Sequence, residues 1–151
     1  MMPDQIIIFT LDGQRYGLPL SAVDRVVRMV DITLLPQAPD NVLGIINVQG
    51  RVIPVINLRR RFRLPEREPA LTDQLVIAHT ARRQVALVAD TVTDVLEYTE
   101  QETIAAQDIL PHVECIEGVV KLESGLILVH DLDRFLSLQE DAALDHALEN
   151  V

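Results

Sequence analysis

Aromatic residues and cysteine are scarce in this chain of 151 residues. Aromatic side chains make up 3% of the sequence and tryptophan is absent, although 48% of the residues are hydrophobic. The core must therefore be built from Val, Ile and Leu, and the β-branched residues among them favour strands. The single cysteine, Cys115, excludes an internal disulfide and fits a reducing compartment. Because it lies between Glu114 and Glu117, we expect a packed thiol and not a nucleophile.

Basic residues are also in the minority. The chain has 13 Lys and Arg against 23 Asp and Glu, a formal net charge of -10. This balance argues against binding to nucleic acid or to an anionic membrane surface, both of which need clustered cations. The apolar run near the N-terminus is too short for a signal peptide or a membrane span. We therefore expect a cytoplasmic protein with no direct membrane insertion.

Motifs for catalysis and for cofactors are missing. The sequence contains no G-x-G-x-x-G, no phosphate-binding P-loop and no G-x-S-x-G. His112 and Cys115 have metal-like spacing but lack a second pair of ligands. Asp90 and Asp94 would share one face if residues 90–95 were helical, but nothing in the sequence builds a pocket around them. We predict no cofactor, no metal and no enzyme; the enzyme hypothesis survives only as a metal-dependent hydrolase around His112 and Cys115.

The residues that are present indicate a series of antiparallel hairpins and two helical segments. Turn signals between apolar runs predict four hairpins. They lie at residues 5–20, 44–58, 74–89 and 119–131. Ser21 followed by Val23, Val26, Val27 and Val30 predicts a short capped helix. Leu132, Phe135, Leu136 and Leu144 mark the apolar side of a terminal helix from Leu132 to about Ala147.

The two halves of the chain resemble each other. Residues 44–58 align with 118–132, and residues 16–29 align with 85–98, in the same order. We predict a duplication that forms two small antiparallel β-barrels packed together. Their interiors are filled by side chains, so any function must use surfaces and the groove between the halves. The predicted boundaries are 12–68 and 69–138, with possible strand exchange at the termini and an acidic helical tail at 139–151.

Three segments resemble a known family. They are F-x-L-D-G-x-x-Y-G-L-P-L-x-x-V-x-x-V (9–26), L-P-x-A-P-x-x-V-x-G-I-I-N-V-Q-G-x-V-I-P-V-I-N-L-R-x-x-F (35–62) and V-A-L-V-A-D-x-V-x-D-V (85–95). This sequence resembles the chemotaxis coupling protein CheW and the CheW-like domains of related scaffolds, from Gln5 to about Leu138. The resemblance implies a mainly β fold with two SH3-like five-stranded β-barrel subdomains, short helices and a C-terminal helix.

The resemblance also implies a noncatalytic adaptor. Such proteins couple methyl-accepting chemoreceptors to the regulatory domain of a CheA-type histidine kinase, in arrays at the inner membrane. The alternative is a CheW-like scaffold of another signalling or pilus-motility pathway. Position matches predict a groove that binds the cytoplasmic receptor tip, lined by Val23, Arg25, Gly44, Asn47, Gln49 and Gly50. Arg59 and Pro54 are predicted to be either kinase-docking or structural.

Three residues depart from the family pattern. Many members carry Glu at the position of Arg25 and Arg at the position of Gln49, so the charge pair expected there cannot form in this chain. We interpret this change as altered partner choice, because charge in a binding groove selects partners by attraction and repulsion. Arg63 replaces a frequent Gly. The arginines at 59, 60, 61 and 63 are interpreted either as exposed charge at a strand end or as a docking surface.

Overall fold

The structure, a computed structural model, describes residues 5–98, 103–105 and 116–149. Within these residues eleven strands form two sheets, so the predicted mainly β fold is confirmed. The strands are β1 (Gln5–Leu11), β2 (Gln14–Pro19), β3 (Val23–Arg28), β4 (Val42–Val48), β5 (Arg51–Ile56), β6 (Gln74–His79), β7 (Gln84–Ala89), β8 (Thr91–Glu97), β9 (Thr103–Ala105), β10 (Ile116–Leu122) and β11 (Gly125–His130). The helices are α1 (Leu58–Arg61) and α2 (Leu138–Glu149).

The two sheets repeat one arrangement. One has the order β3-β6-β7-β5-β4, and the other has the order β8-β1-β2-β11-β10-β9. The registers also correspond: Val55 of β5 pairs in parallel with Ala86 of β7, and Val129 of β11 pairs in parallel with Gly17 of β2. These are aligned positions in the two halves of the sequence. The repeat seen in the sequence is therefore a repeat of strand order and register.

Each sheet contains strands from both halves of the chain. β1 and β2 join β8, β10 and β11, whereas β6 and β7 join β3, β4 and β5. The halves thus exchange their first two strands, and sheet membership does not follow the boundary near residue 68 predicted between the halves. The subdomain boundaries themselves stay a prediction.

Three hydrophobic clusters follow from this arrangement. Ile46, Ile53 and Leu75 belong to the cluster of the five-stranded sheet, and Ile6 and Ile127 belong to that of the six-stranded sheet. A third and larger cluster includes residues of both sheets, among them Phe9, Leu18, Val76 and Leu87. Since β1 and β6 place side chains in two clusters at once, their sequences read as continuous apolar runs and not as alternation.

The few aromatic residues are concentrated in the third cluster. Tyr16 stacks on Phe9 and Phe62, and Phe62 stacks on His130 with ring centroids 4.3 Å apart. Phe135 meets Phe62 and His130 edge to face. Burial, and then the charge of Asp12, raises the pKa of Tyr16 above its usual value. The contacts among these rings therefore join β1, β2, β11, the end of α1 and the segment before α2.

The predicted capped helix at Ser21–Val30 is wrong. A 3-10 helix at Leu20–Ala22 has no side-chain cap, and Val23–Arg28 forms strand β3. β3 pairs with β6 through Val23–Ala78 and Arg25–Ile77, which leaves Asp24 in a bulge. The bulge brings Val23 and Val26 to the same cluster, so their spacing of three resembles that of a helix.

The C-terminal helix is confirmed but is shorter than predicted. Leu132–Arg134 forms a separate 3-10 turn, and α2 begins at Leu138. Ser137 and Glu140 form a reciprocal capping box: Ser137 Oγ accepts from Glu140 N at 3.0 Å, and Glu140 Oε1 accepts from Ser137 N at 2.9 Å. The four residues predicted for its apolar side, Leu132, Phe135, Leu136 and Leu144, are all buried.

Candidate functional site

The six residues predicted to bind a receptor lie on two elements of the five-stranded sheet. Val23 and Arg25 belong to β3, and Gly44, Asn47, Gln49 and Gly50 belong to β4 and the turn that follows it. These six residues are called here the β3–β4 surface. In strand order β3 and β4 are the two edges of the sheet, and the segment that follows β3 reaches β4 through one backbone bridge between Thr33 and Ile45.

The β4–β5 turn is a tight two-residue connection. Gln49 and Gly50 both have positive φ, at 52° and 83°, which is the conformation of a type I′ hairpin turn. Asn47 Oδ1 accepts a hydrogen bond from Gly50 N at 2.9 Å and fixes the turn from inside. Gln49 is exposed at its tip. Asn47 and Gly50 therefore shape the surface, while Gln49 is presented by it.

Gly44 serves the closure of the sheet. It is buried, and a Cβ atom added to it would lie 2.3 Å from the carbonyl oxygen of Thr33 and 2.9 Å from Ile32 Cγ2. The Thr33–Ile45 bridge, with two backbone hydrogen bonds of 2.8 Å, brings that carbonyl against β4. Only glycine permits this approach.

We expect Gly44→Ala to lower the free energy of unfolding by about 1–3 kcal/mol, because the methyl group must displace backbone. Urea denaturation measures this change. Hydrogen exchange should accelerate at the amides of Thr33 and Ile45 before it does so elsewhere. Unchanged stability would show that the bridge yields freely to a side chain.

A chain of four polar side chains links the two parts of the β3–β4 surface. Arg51 Nη1 donates to Gln84 Oε1 at 3.2 Å, and Gln84 Nε2 donates to Asp24 Oδ2 at 2.9 Å. Asp24 Oδ1 lies 2.9 Å from His79 Nδ1. The hydrogen bond from Gln84 is the largest of the effects that lower the pKa of Asp24, although partial burial opposes it. This group of residues is called the polar chain below.

Arg25 makes no hydrogen bond to the polar chain, although its charge helps to lower the pKa of Asp24. Arg25 is exposed on β3, and no ion pair identified among the described residues includes it. Gln49 is uncharged, so no ion pair joins the two positions where many family members carry opposite charges. The polar chain connects the same two segments in a different way.

Arg59 lies in an ion cluster on another part of the molecule. Its guanidinium donates to Asp12 Oδ1 at 2.6 Å and to both carboxylate oxygens of Asp90, at 2.8 and 3.0 Å. Arg67 extends the cluster to Asp90 and Asp73, and these five residues are called the ion cluster. Asp12, Arg59 and Asp90 come from the three segments that carry the family resemblance. The cluster therefore brings together motif residues that are far apart in sequence.

Two carboxylates of the ion cluster, Asp90 and Asp73, are held ionised. Burial alone would raise the pKa of Asp90, but hydrogen bonds from the Asp12 amide and from Arg59, with the charges of Arg59 and Arg67, outweigh burial and lower it. Burial likewise opposes, without overcoming, the lowering of the Asp73 pKa by Arg67 and the Ala70 amide. Since the Arg59 side chain is only 11% exposed, these contacts fit a structural role.

The other neighbouring arginines serve different contacts. Arg60 is half exposed and lies 3.4 Å from Asp40 and 3.8 Å from Glu66. Arg61 Nη2 donates to the carbonyl oxygen of Arg134 at 2.9 Å. Arg63 is exposed with φ of 59°, a conformation that favours glycine. The arginine run therefore contains one buried structural residue, the partly buried Arg61 that contacts the segment before α2, and outward-facing charge at Arg60 and Arg63.

We expect Arg63→Gly to raise the free energy of unfolding by about 0.5–1 kcal/mol, because glycine adopts positive φ without the steric cost that a Cβ atom brings. Thermal or urea unfolding measures the gain. Arg60→Gly is the matched control: it lies within α1, where glycine should be destabilising by a similar amount. A loss of stability on Arg63→Gly would contradict the assignment of strain to this position.

Pro54 is buried in β5, immediately before β5 begins to pair with β7 at Val55. Proline has no backbone N–H to donate to a neighbouring strand, so it suits a position that lies before the pairing with β7 begins. Its burial favours the structural role over the kinase-docking role.

Two adjoining cavities lie between the sheets. The larger, of about 570 Å³, is lined by the β6–β7 turn, the segment at 132–138 and the start of α2. The smaller, of about 380 Å³, reaches Ala22, next to Val23. Neither lining includes a residue of the β3–β4 surface. These two cavities thus come near that surface at Val23.

Residues 5–98, 103–105 and 116–149 contain no group of three or more His, Cys, Asp or Glu suited to a metal ion. His112 and Cys115 lie outside the described residues. Asp90 and Asp94 do not share a helical face, because Thr91–Glu97 is strand β8. None of the described helices has the length and apolar character needed to cross a membrane.

The repeated strand order and the hydrophobic clusters packed against both sheets define a duplicated module of two SH3-like β units. The β3–β4 surface lies on one of these units. A family model described as the CheW-like domain matches residues 5–140. The chain belongs to the CheW-like domain family, as its sequence motifs predicted.

Individual relatives agree with this membership. The chemotaxis protein CheW of Bacillus subtilis (strain 168) is 31% identical over 137 residues, covering 88% of this chain and 86% of that protein. The protein FrzA of Myxococcus xanthus is 30% identical over 110 residues, covering 72% of this chain and 65% of that protein. The crystal structure of the scaffolding protein TtCheW from Thermoanaerobacter tengcongensis superposes with a TM-score of 0.81 at 28% identity, covering 92% and 96% of the two chains. The predicted fold class and the scaffold class of function are confirmed.

Proposed function

We propose that this protein is a noncatalytic cytoplasmic adaptor that couples methyl-accepting chemoreceptors to a CheA-type histidine kinase. The observation that carries the proposal is the family match over almost the whole chain, with relatives named as chemotaxis and scaffolding proteins. Because side chains fill the hydrophobic clusters, partners are expected to bind at the surface of the protein. The protein acts by holding two partners at once.

The β3–β4 surface is the proposed contact for the receptor tip. Arg25 and Gln49 are exposed on it, whereas Gly44 and Asn47 support its shape. A sheet edge is the proposed contact for the regulatory domain of the kinase, since unpaired strand edges accept further strands. Arg59 and Pro54 are proposed to maintain the fold and not to contact the kinase.

Affinity purification from the native cytoplasm tests the proposal. The full-length tagged protein should recover both a CheA-type kinase and chemoreceptors, identified by mass spectrometry. Recovery of neither under conditions that preserve receptor arrays would overturn it. Metal analysis of the same purified protein would separately show whether His112 and Cys115 belong to a metal-dependent enzyme.

The alternative is a CheW-like scaffold of a different signalling or pilus-motility pathway. One observation favours it: Arg25 and Gln49 stand at both positions where many family members carry opposite charges. In that case the purified complex should contain a CheA-type kinase with a different protein on the β3–β4 surface.

We expect Arg25→Glu to weaken binding to the receptor tip encoded in the same genome by about tenfold. An exposed charge at an interface acts through complementarity with its partner, and reversal changes attraction into repulsion. Titration calorimetry measures the change, and Arg28→Glu, another exposed arginine of β3, is the control. Unchanged affinity would show that Arg25 does not select the partner.

A further inference from the structure

The polar chain is unusual because each of its members comes from a different strand. Arg51 is the first residue of β5, Gln84 the first of β7, Asp24 the second of β3, and His79 the last of β6. The four strands meet at the end of the sheet that carries the β4–β5 turn. The polar chain therefore crosses the sheet from the β4–β5 turn to the start of β3.

Asp24 reaches this row because of the bulge in β3. It has no Cα partner on β6, since Val23 pairs with Ala78 and Arg25 with Ile77. A bulge leaves the extra residue outside the ladder and redirects its side chain. The hydrogen bonds from Gln84 and with His79 therefore orient this part of β3, immediately between two residues of the β3–β4 surface.

Gln84 is the only member that both donates and accepts within the row. Its Oε1 accepts from the Arg51 guanidinium, and its Nε2 donates to the Asp24 carboxylate. A carboxylate at this position would keep the bond to Arg51 but would repel Asp24, and an apolar side chain would lose both bonds. The amide thus determines the spacing between the turn and the bulge.

We propose that Gln84, supported by His79, is a positioning residue that holds the two parts of the β3–β4 surface in the arrangement that binds the partner. This proposal rests on the proposed function for what binds there, but the geometry it assigns belongs to the free protein. The β3–β4 surface is thereby one site made of two segments, with Gln84 beneath their junction.

The test is a polarity exchange between Gln84 and Asp24. Gln84→Glu places two carboxylates side by side and should increase amide hydrogen exchange at residues 23–26 and 47–51. In the double variant Gln84→Glu with Asp24→Asn, the asparagine amide donates to the new carboxylate, which still accepts from Arg51. Exchange should then return to wild-type rates. This rescue would not occur if the Gln84 side chain acted only by packing and not through its hydrogen bonds.

Binding is measured on the same proteins with a helical-hairpin fragment from the tip of a chemoreceptor of the same genome. We expect Gln84→Glu to weaken binding about tenfold, in line with the loss of one hydrogen bond to a charged group, and the double variant to recover most of it. Gln5→Glu is the matched control, because Gln5 Nε2 donates to Glu97 Oε1 at 2.9 Å on the other sheet. It should leave binding unchanged.

The outcomes separate the two proposals. If the wild type binds the fragment and Gln84→Glu binds equally well, the positioning role is wrong while the proposed function stands. If the wild type does not bind the fragment, the proposed function is in doubt, and the exchange rates alone decide the positioning role. Exchange that is unaltered in Gln84→Glu, or not restored in the double variant, would overturn it in either case.

Discussion

Replacing Asp90 by asparagine is expected to lower the free energy of unfolding by about 2–4 kcal/mol, because it leaves Arg59 and Arg67 without their shared counter-charge. The full cost of breaking a buried ion pair is reduced here, since the Asp90 side chain is 27% exposed. Urea denaturation at neutral pH measures the loss. The matched control is Asp40→Asn, whose carboxylate is 85% exposed beside Arg60 and should contribute less than about 1 kcal/mol.

The effect of Asp90→Asn should also depend on pH. The pKa of Asp90 is lower in the folded protein than the usual value of about 3.9 in an unfolded chain. Its contribution is therefore fully present above about pH 4 and is lost as the pH falls through the folded-state pKa. Wild type and Asp90→Asn should converge in stability as the pH falls below the folded-state pKa of Asp90. A difference that stays constant down to that pH would show that Asp90 acts by packing and not by charge.

Replacing Leu144 by alanine is expected to cost about 2–5 kcal/mol, which is typical of a large-to-small change in a filled core. Leu144 is fully buried and belongs to the cluster shared by both sheets, so α2 is part of the core despite its acidic composition. Arg83 holds the same helix from outside: its Nε lies 3.1 Å from Asp141 Oδ1, and it also contacts Asp145. Equilibrium denaturation measures the loss.

Leu138→Ala is the matched control for this effect. It is the same substitution in the same helix, but Leu138 is 70% exposed. Its effect should remain within about 0.5 kcal/mol. Equal losses from the two variants would mean that α2 is stabilised by its intrinsic helical tendency and not by its contact with the sheets.

Local turn chemistry made the hairpins predictable. Asp12-Gly13 and Gln49-Gly50 occupy the positive-φ positions of two-residue turns, as their sequence indicates. β3 was mispredicted because a bulge changes the periodicity of a strand. With Asp24 inserted, Val23 and Val26 face one cluster, and spacing alone cannot distinguish this strand from a helix.

The candidate site was predictable only in part. Family motifs indicated the residues of the β3–β4 surface, but Gln84 and His79 carry no motif and matter only through contacts between strands. The ion cluster was equally hidden. Arg67 lies in the loop between α1 and β6, where it pairs with Asp73, and it reaches Asp90 only in the folded chain. Pairings of this kind depend on tertiary distance, which residue patterns do not encode.

The exchange of strands between the sheets was predicted only as a possibility at the termini, for a different reason. Because the halves are alike, the hairpin of β1 and β2 has equivalent partners in either sheet. Side-chain patterns fit both choices equally well. The connections between strands, and not the strands themselves, distinguish the two arrangements.

The same exchange constrains how the protein is made. During synthesis the hairpin of β1 and β2 leaves the ribosome before its neighbours β8 and β11, which are about 80 to 110 residues further along the chain. It must wait, with apolar strands exposed, until β11 has emerged. Contacts so distant in sequence slow folding, and they also make neither half a folding unit. Although the two halves are alike, they should therefore fold together as one cooperative unit, because neither sheet is complete without strands of both halves.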